Sequence, residues 1–145
     1  MTQNYFDQSV NCLNKNDLPQ AEVLAAKHIA QNPSDIAAYK LLAYINYRQQ
    51  NYQAALKNFA VYLNKNTNDA EAYNVVGCIY LETNQYEQAE FNLAKAVGLK
   101  PDYQEALFNL SICFYQAGKL AQAEQALHLL LQLNPQHLNA QYYLT

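Results

Sequence analysis

Residues 70–103 read AEAYNVVGCIYLETNQYEQAEFNLAKAVGLKPDY, and the rest of the chain consists of imperfect copies of this stretch. Ala89 has counterparts at Ala21, Ala55 and Ala123, Ala72 at Ala38, Ala106 and Ala140, and Tyr86 at Leu18, Tyr52 and Leu120, always 34 residues apart. A period of this length marks a stack of supersecondary units, each too small to bury its own apolar face and each dependent on a neighbour. The copies fall at 2–35, 36–69, 70–103 and 104–137, with the start of a fifth at 138–145.

Each copy holds two apolar-periodic stretches separated by a polar pair: Asn16-Asp17, Gln50-Asn51, Asn84-Gln85 or Gly118-Lys119. That pattern predicts a helical hairpin per copy, about nine helices in all, and no strand. Small residues share one phase on the first helix, Ser9, Ala43, Gly77 and Ser111, and one on the second, Ala21, Ala55, Ala89 and Ala123, so the paired helices can approach closely. Pro33, Pro101 and Pro135 end the second helices. Thr67 replaces proline in copy two and predicts a softer boundary there. Gln8 and Ala25 stand where later copies carry larger apolar residues, which suits an N-terminal cap with one face in water. Asn46 occupies the phase of Tyr80 and Phe114, and an amide there needs partners.

Within 70–103, Tyr73-x2-Val76-Gly77-x2-Tyr80, then Ala89-x3-Leu93, Ala96 and Pro101, resemble the tetratricopeptide repeat (TPR) pattern W-x2-L-G-x2-Y…A-x3-F…P. The resemblance covers essentially the whole chain, 1–145, read as one TPR domain. It implies an all-α, right-handed superhelical α-solenoid of four hairpins with a C-terminal partial repeat as a capping helix. Ala140 and Leu144 repeat the core phase, so this last helix is expected to lie on repeat four and to expose an apolar outer face.

Composition excludes several functions. The 145 residues are 51% hydrophobic with periodic distribution, which argues against disorder. Nine Lys and Arg against twelve Asp and Glu give a net charge of −3 and no basic stripe for nucleic acid. There is no apolar run long enough for a membrane span and no secretory leader pattern, which favours the cytoplasm. Three cysteines, Cys12, Cys78 and Cys113, lack metal-ligand spacing, and the 35-residue offset of the last two places them too far apart for a disulfide. No nucleotide loop or nucleophile motif is present, so no cofactor, metal or catalytic residue is expected, and the chain reads as a non-enzyme.

What remains is the surface that TPR-like arrays use, the concave face of their first helices. Offsets of three, four and three along those helices give Phe6, Lys40, Tyr44, Tyr47, Asn74, Cys78, Phe108, Ile112 and Tyr115; Arg48 and Glu82 border the same face and Asn109 lies one step from it, and together these are the candidate groove residues. Of the thirteen tyrosines, eight fall in framework phases, Tyr80 among them as a core aromatic, whereas Tyr44, Tyr47, Tyr115 and Tyr142 do not. The expected function is a protein-interaction scaffold that holds a partner peptide or helix in that groove. Two alternatives stay open: the regulatory or substrate-positioning part of a longer enzyme such as a glycosyltransferase, and a module that self-associates through its C-terminal repeat. The clamp by which some TPR domains grip chaperone C-terminal carboxylates is missing. Lys40 matches its first position, but Tyr44, Val75, Glu105 and Asn109 stand at the others.

Overall fold

The computed structural model describes residues 4–145. Among them are nine α-helices and no strand: α1 (Tyr5–Asn14), α2 (Leu18–Gln31), α3 (Ile36–Arg48), α4 (Tyr52–Lys65), α5 (Ala70–Glu82), α6 (Tyr86–Leu99), α7 (Gln104–Gln116), α8 (Leu120–Leu133) and α9 (Leu138–Tyr143). They form two compact units, Met1–Thr67 and Asn68–Thr145. In the first, α1 packs on α2, α2 on α3 and α3 on α4; in the second, α5 to α9 pack in the same sequential fashion.

The four hairpin turns share one construction, and the polar pairs supply it. Asn16, Gln50, Asn84 and Gly118 all adopt positive φ, 59–79°. Their N–H groups donate to Leu13, Tyr47, Leu81 and Tyr115, while the following N–H groups donate to Cys12, Asn46, Tyr80 and Phe114. This is the Schellman closure of a helix, in which the left-handed residue satisfies carbonyls that the helix end leaves open. Asp17 and Asn51 then cap the next helix, accepting from Gln20 and Ala54, whereas Gln85 and Lys119 make no side-chain cap. Gln50 is the least suited residue for its left-handed position, because its Cβ crowds the following carbonyl. Replacing it with glycine is expected to raise stability by about 1 kcal/mol; a urea titration showing no gain would refute this.

The proline rule holds at three connectors and differs informatively at the fourth. Helices α2, α6 and α8 stop two residues before Pro33, Pro101 and Pro135, and Asp35, Tyr103 and His137 close a turn onto Asn32, Lys100 and Asn134. Helix α4 stops in the same phase without proline, but residues 66–69 take no turn. The two compact units divide at this connector. At Thr67 the missing proline thus leaves the helix end in place and removes only the turn that follows it.

Burial follows the predicted phases. Ala21, Ala25 and Ile45 form a core in the first unit, flanked by Cys12, Leu13, Leu41 and Leu42. In the second unit Ala89, Leu93, Leu110 and Cys113 form one cluster and Leu107, Ala126, Leu127, Leu130 and Ala140 another. Ser9, Ala43, Gly77 and Ser111 are all buried, and the two serines satisfy their hydroxyls on the carbonyls of Ala21 and Phe108. Tyr80 departs from expectation. It is half-buried at the edge of the Leu93 cluster, because its phase lies at the flank of the helix interface rather than at its centre.

Asn46 is buried, and its amide is fully engaged. Its nitrogen approaches Glu22 at 3.5 Å and Gln49 at 3.4 Å, its oxygen accepts from Asn58 at 3.0 Å, and Gln49 donates to Glu22 at 2.9 Å. Three helices, α2, α3 and α4, thus share a polar network in place of an aromatic ring, which removes the packing concern that the amide raised.

Helix α9 lies on repeat four as a lid, with Ala140 buried in the cluster that includes Leu107, Leu127 and Leu130 and Leu144 packed against that cluster. Its other side is open: Leu138 is 76% exposed and Tyr142 75%.

Candidate functional site: the first-helix faces

In the first unit the candidate residues are largely engaged with their own neighbours. The Phe6 ring meets the His28 imidazole edge-on at 5.5 Å, and His28 Nε2 bonds Asp35 at 2.8 Å. Lys40 Nζ lies 5.7 Å from the Tyr62 ring centroid. Tyr47 sits between Tyr44 and Tyr52, each ring centroid 6.2 Å away. Arg48 donates to the Asn16 carboxamide oxygen at 2.8 Å, so its guanidinium is tied to the turn of repeat one. The sequence-level phase found these side chains, but their mutual packing was not visible from it.

The second unit carries a more open surface. Asn74 is not part of it: at 1% exposure it is buried, and it works behind the face. Its amide nitrogen donates to Glu105 Oε1 at 3.1 Å and approaches Tyr103 Oη at 3.3 Å, and its oxygen accepts from Asn109 at 3.0 Å. Asn109 also donates to Cys78 Sγ at 3.2 Å. This chain of bonds joins α5 to α7 and holds Glu105, Asn109 and Cys78 on one continuous surface. Glu82 is exposed at the end of α5, and Ile112 is half-buried on α7.

Aromatic rings border this surface. Phe108 packs on His137 at 5.4 Å and on Tyr143 at 6.0 Å, and Tyr115, 52% exposed, meets Tyr143 edge-on at 5.7 Å. His137 Nδ1 accepts from Ala140 N and so caps α9. Tyr143 was not anticipated as a member of this cluster. Its only sequence signal is its place in the incomplete repeat, one residue beyond the phase of Phe108.

The electrostatics argue against nucleophilic chemistry at Cys78. Burial, reinforced by the Glu105 and Glu82 carboxylates, pushes its thiol up to about 12, so the sulfur stays protonated and unreactive. Burial, then Glu105, also raises the Tyr103 phenol. Burial, then Glu90, raises the Cys113 thiol. Glu90 pairs with Lys119 at 2.6 Å. Among the described residues no group of three or more His, Cys, Asp and Glu could hold a metal. Among them also, no helix is long and apolar enough to cross a membrane.

Two family profiles, both described as tetratricopeptide repeat, match residues 13–72 and 80–144. The chain belongs to the tetratricopeptide repeat family. Solved TPR-type structures superpose on it closely. A MamA protein shares 20% identity at a TM-score of 0.88, covering 94% of this chain and 74% of that one. YrrB, described as a TPR protein with an unusual peptide-binding site, shares 21% at 0.84, covering 94% and 70%. PilF of Pseudomonas aeruginosa shares 25% at 0.81, covering 94% and 62%. No curated protein sequence matches the chain. TPR membership accounts for the hairpin construction and the buried small residues; at this identity the likenesses speak to the fold alone.

Proposed function

We propose that this TPR chain acts over residues 1–145 as a non-catalytic protein-interaction scaffold, binding an extended segment or helix of a partner on its first-helix faces. The observation that carries this reading is the exposed ring of Tyr115, in a phase where core packing asks for no aromatic. Tyrosine offers a broad apolar face with a polar tip at low entropy cost, as recognition surfaces require. Phe108, Ile112 and the Asn109 amide on the same helix serve as further contacts, and Phe6, Lys40, Tyr44, Tyr47 and Arg48 belong to the corresponding set of the first unit. The peptide-binding site ascribed to YrrB is consistent with this use of the fold. A cytoplasmic location belongs to the same reading and rests on the sequence.

Tyr115→Ala is expected to weaken binding of a selected peptide by about 1–3 kcal/mol. Its melting curve should stay within about 0.5 kcal/mol of the parent, as for an exposed position. Unchanged affinity, measured by fluorescence anisotropy, would remove Tyr115 from the site.

A second reading has its own observation. The open side of α9, with Leu138 and Tyr142 three-quarters exposed, suits self-association through the C-terminal repeat. Native mass spectrometry that finds only monomer at micromolar concentration would discard it.

A further inference from the structure

The charge of the chain is divided unevenly between its units. Met1–Thr67 carries six Lys and Arg against four Asp and Glu, a net +2, whereas Asn68–Thr145 carries three against eight, a net −5. The three lysines of the second unit are already engaged. Lys95 lies 5.1 Å from the Tyr73 ring centroid, Lys100 5.1 Å from that of Tyr103, and Lys119 bonds Glu90. Helices α5, α7 and α9 contain no Lys or Arg at all.

Three of the remaining carboxylates, Glu71, Glu82 and Glu105, lie on the first helices α5 and α7. Glu71 and Glu82 are both exposed on α5. Eleven residues at 100° each bring them back to within about 20° of the same face, about 16 Å apart along the axis. Neither makes an ion pair among the described residues. Glu105 is exposed on the first turn of α7, its Oε1 held by Asn74. Midway lies Asn109, whose amide nitrogen is spent on Asn74 and Cys78. Among the described residues no buried side-chain oxygen lacks a partner, so Asn109 Oδ1, which accepts no bond, is not fully enclosed and can accept one from outside.

We propose that the α5/α7 face of the second unit binds an extended polypeptide segment carrying two Lys or Arg side chains four or six residues apart. This rests on the peptide-binding reading above and names the chemistry of the peptide. An extended chain rises about 3.3 Å per residue and alternates its side chains, so residues four or six apart share a face about 13 or 20 Å apart, and the flexible Lys or Arg stems match this to the roughly 16 Å between the acidic ends. One cation meets Glu71 and Glu105, the other meets Glu82, and a backbone N–H between them donates to Asn109 Oδ1. The exposed face of Tyr115 takes an aromatic residue or the guanidinium plane of an arginine. The net charge of the unit attracts a basic segment and repels an acidic one, and Glu71, Glu82 and Glu105, with no Lys or Arg on α5, α7 or α9 to compete, draw it to this face.

The test is a selection without bias toward charge. A phage-displayed random dodecapeptide library is panned against the full chain, and the enriched peptide is titrated by anisotropy against the parent, the Glu71→Gln/Glu82→Gln double variant and Tyr115→Ala. The expected result is enrichment of sequences with two basic residues four or six apart. The double variant should then weaken Kd at least threefold at 0.15 M salt with an unchanged melting temperature, and the difference should vanish at 1 M salt, where screening shortens to about 3 Å. Enrichment of neutral or acidic peptides that still depend on Tyr115 would overturn the charge assignment and leave the scaffold reading standing. A loss below threefold in the double variant would also overturn it. Failure to enrich any peptide would overturn both.

Discussion

Phe59→Ala will destabilise the protein by about 3–5 kcal/mol, the loss expected when a fully buried aromatic is truncated and its cavity cannot collapse. Phe59 is 1% exposed and is the bulkiest of the fully buried side chains, ahead of Ile45 in the same unit. Its phase partner in repeat one is Ala25, itself buried, so repeat one offers no second large side chain in that phase. Chemical denaturation followed by circular dichroism measures the loss. Phe91→Ala serves as the control, because Phe91 is 66% exposed on α6 and its truncation should fall within about 0.5 kcal/mol. Equal losses in the two variants would mean that the second-helix phases are misassigned.

Leu93→Ala should cost about 2–5 kcal/mol, and its coupling to Gly77 should reverse a sign. Leu93 is fully buried, and a Cβ placed on Gly77 would come within 2.5 Å of Leu93 Cγ and 2.7 Å of Cδ2. Gly77→Ala alone therefore overpacks a closed interface at about 1–3 kcal/mol. That outweighs the roughly 1 kcal/mol that alanine gains over glycine inside a helix. With Leu93 already cut to alanine the two side-chain clashes are gone, leaving the helical preference set against one tight 3.3 Å approach to the backbone nitrogen of residue 93. The double variant is expected to be more stable than Leu93→Ala by up to about 1 kcal/mol, whereas the same change destabilises the parent. Additive losses in a double-mutant cycle would show that the close approach of α5 and α6 is not what requires glycine at this position.

Much of the architecture was legible in the residues themselves. The positions of the four left-handed turn residues, the helix ends before Pro33, Pro101 and Pro135, the buried small residues and the seating of Ala140 and Leu144 all follow from one 34-residue register. Helix phase is a local property: a residue's position modulo 3.6, together with its neighbours three and four along, decides whether it faces the partner helix. Four copies repeat the signal, so a substitution such as Thr67 or Gln8 does not blur it.

The candidate site was legible only as a face. Phase placed Arg48, Asn74, Asn109, Tyr47 and Tyr115 on first helices, but not what each would do there. Arg48 finds Asn16, 32 residues away, and Asn109 reaches back 35 residues to Asn74. Asn46 gathers Glu22 and Asn58 from two other helices, and Glu90 takes Lys119 from the next hairpin. Such pairings depend on the rotation of one helix against another and on the rotamers of long side chains. Neither leaves a periodic trace, because a shift of a few tens of degrees leaves the apolar stripe buried and yet moves an amide from solvent to the interior. The sequence by itself determined the repeat, its turns and its core. Only the tertiary structure decided which polar groups are spent inside the fold and which, like Glu82 and Tyr115, are left facing outward.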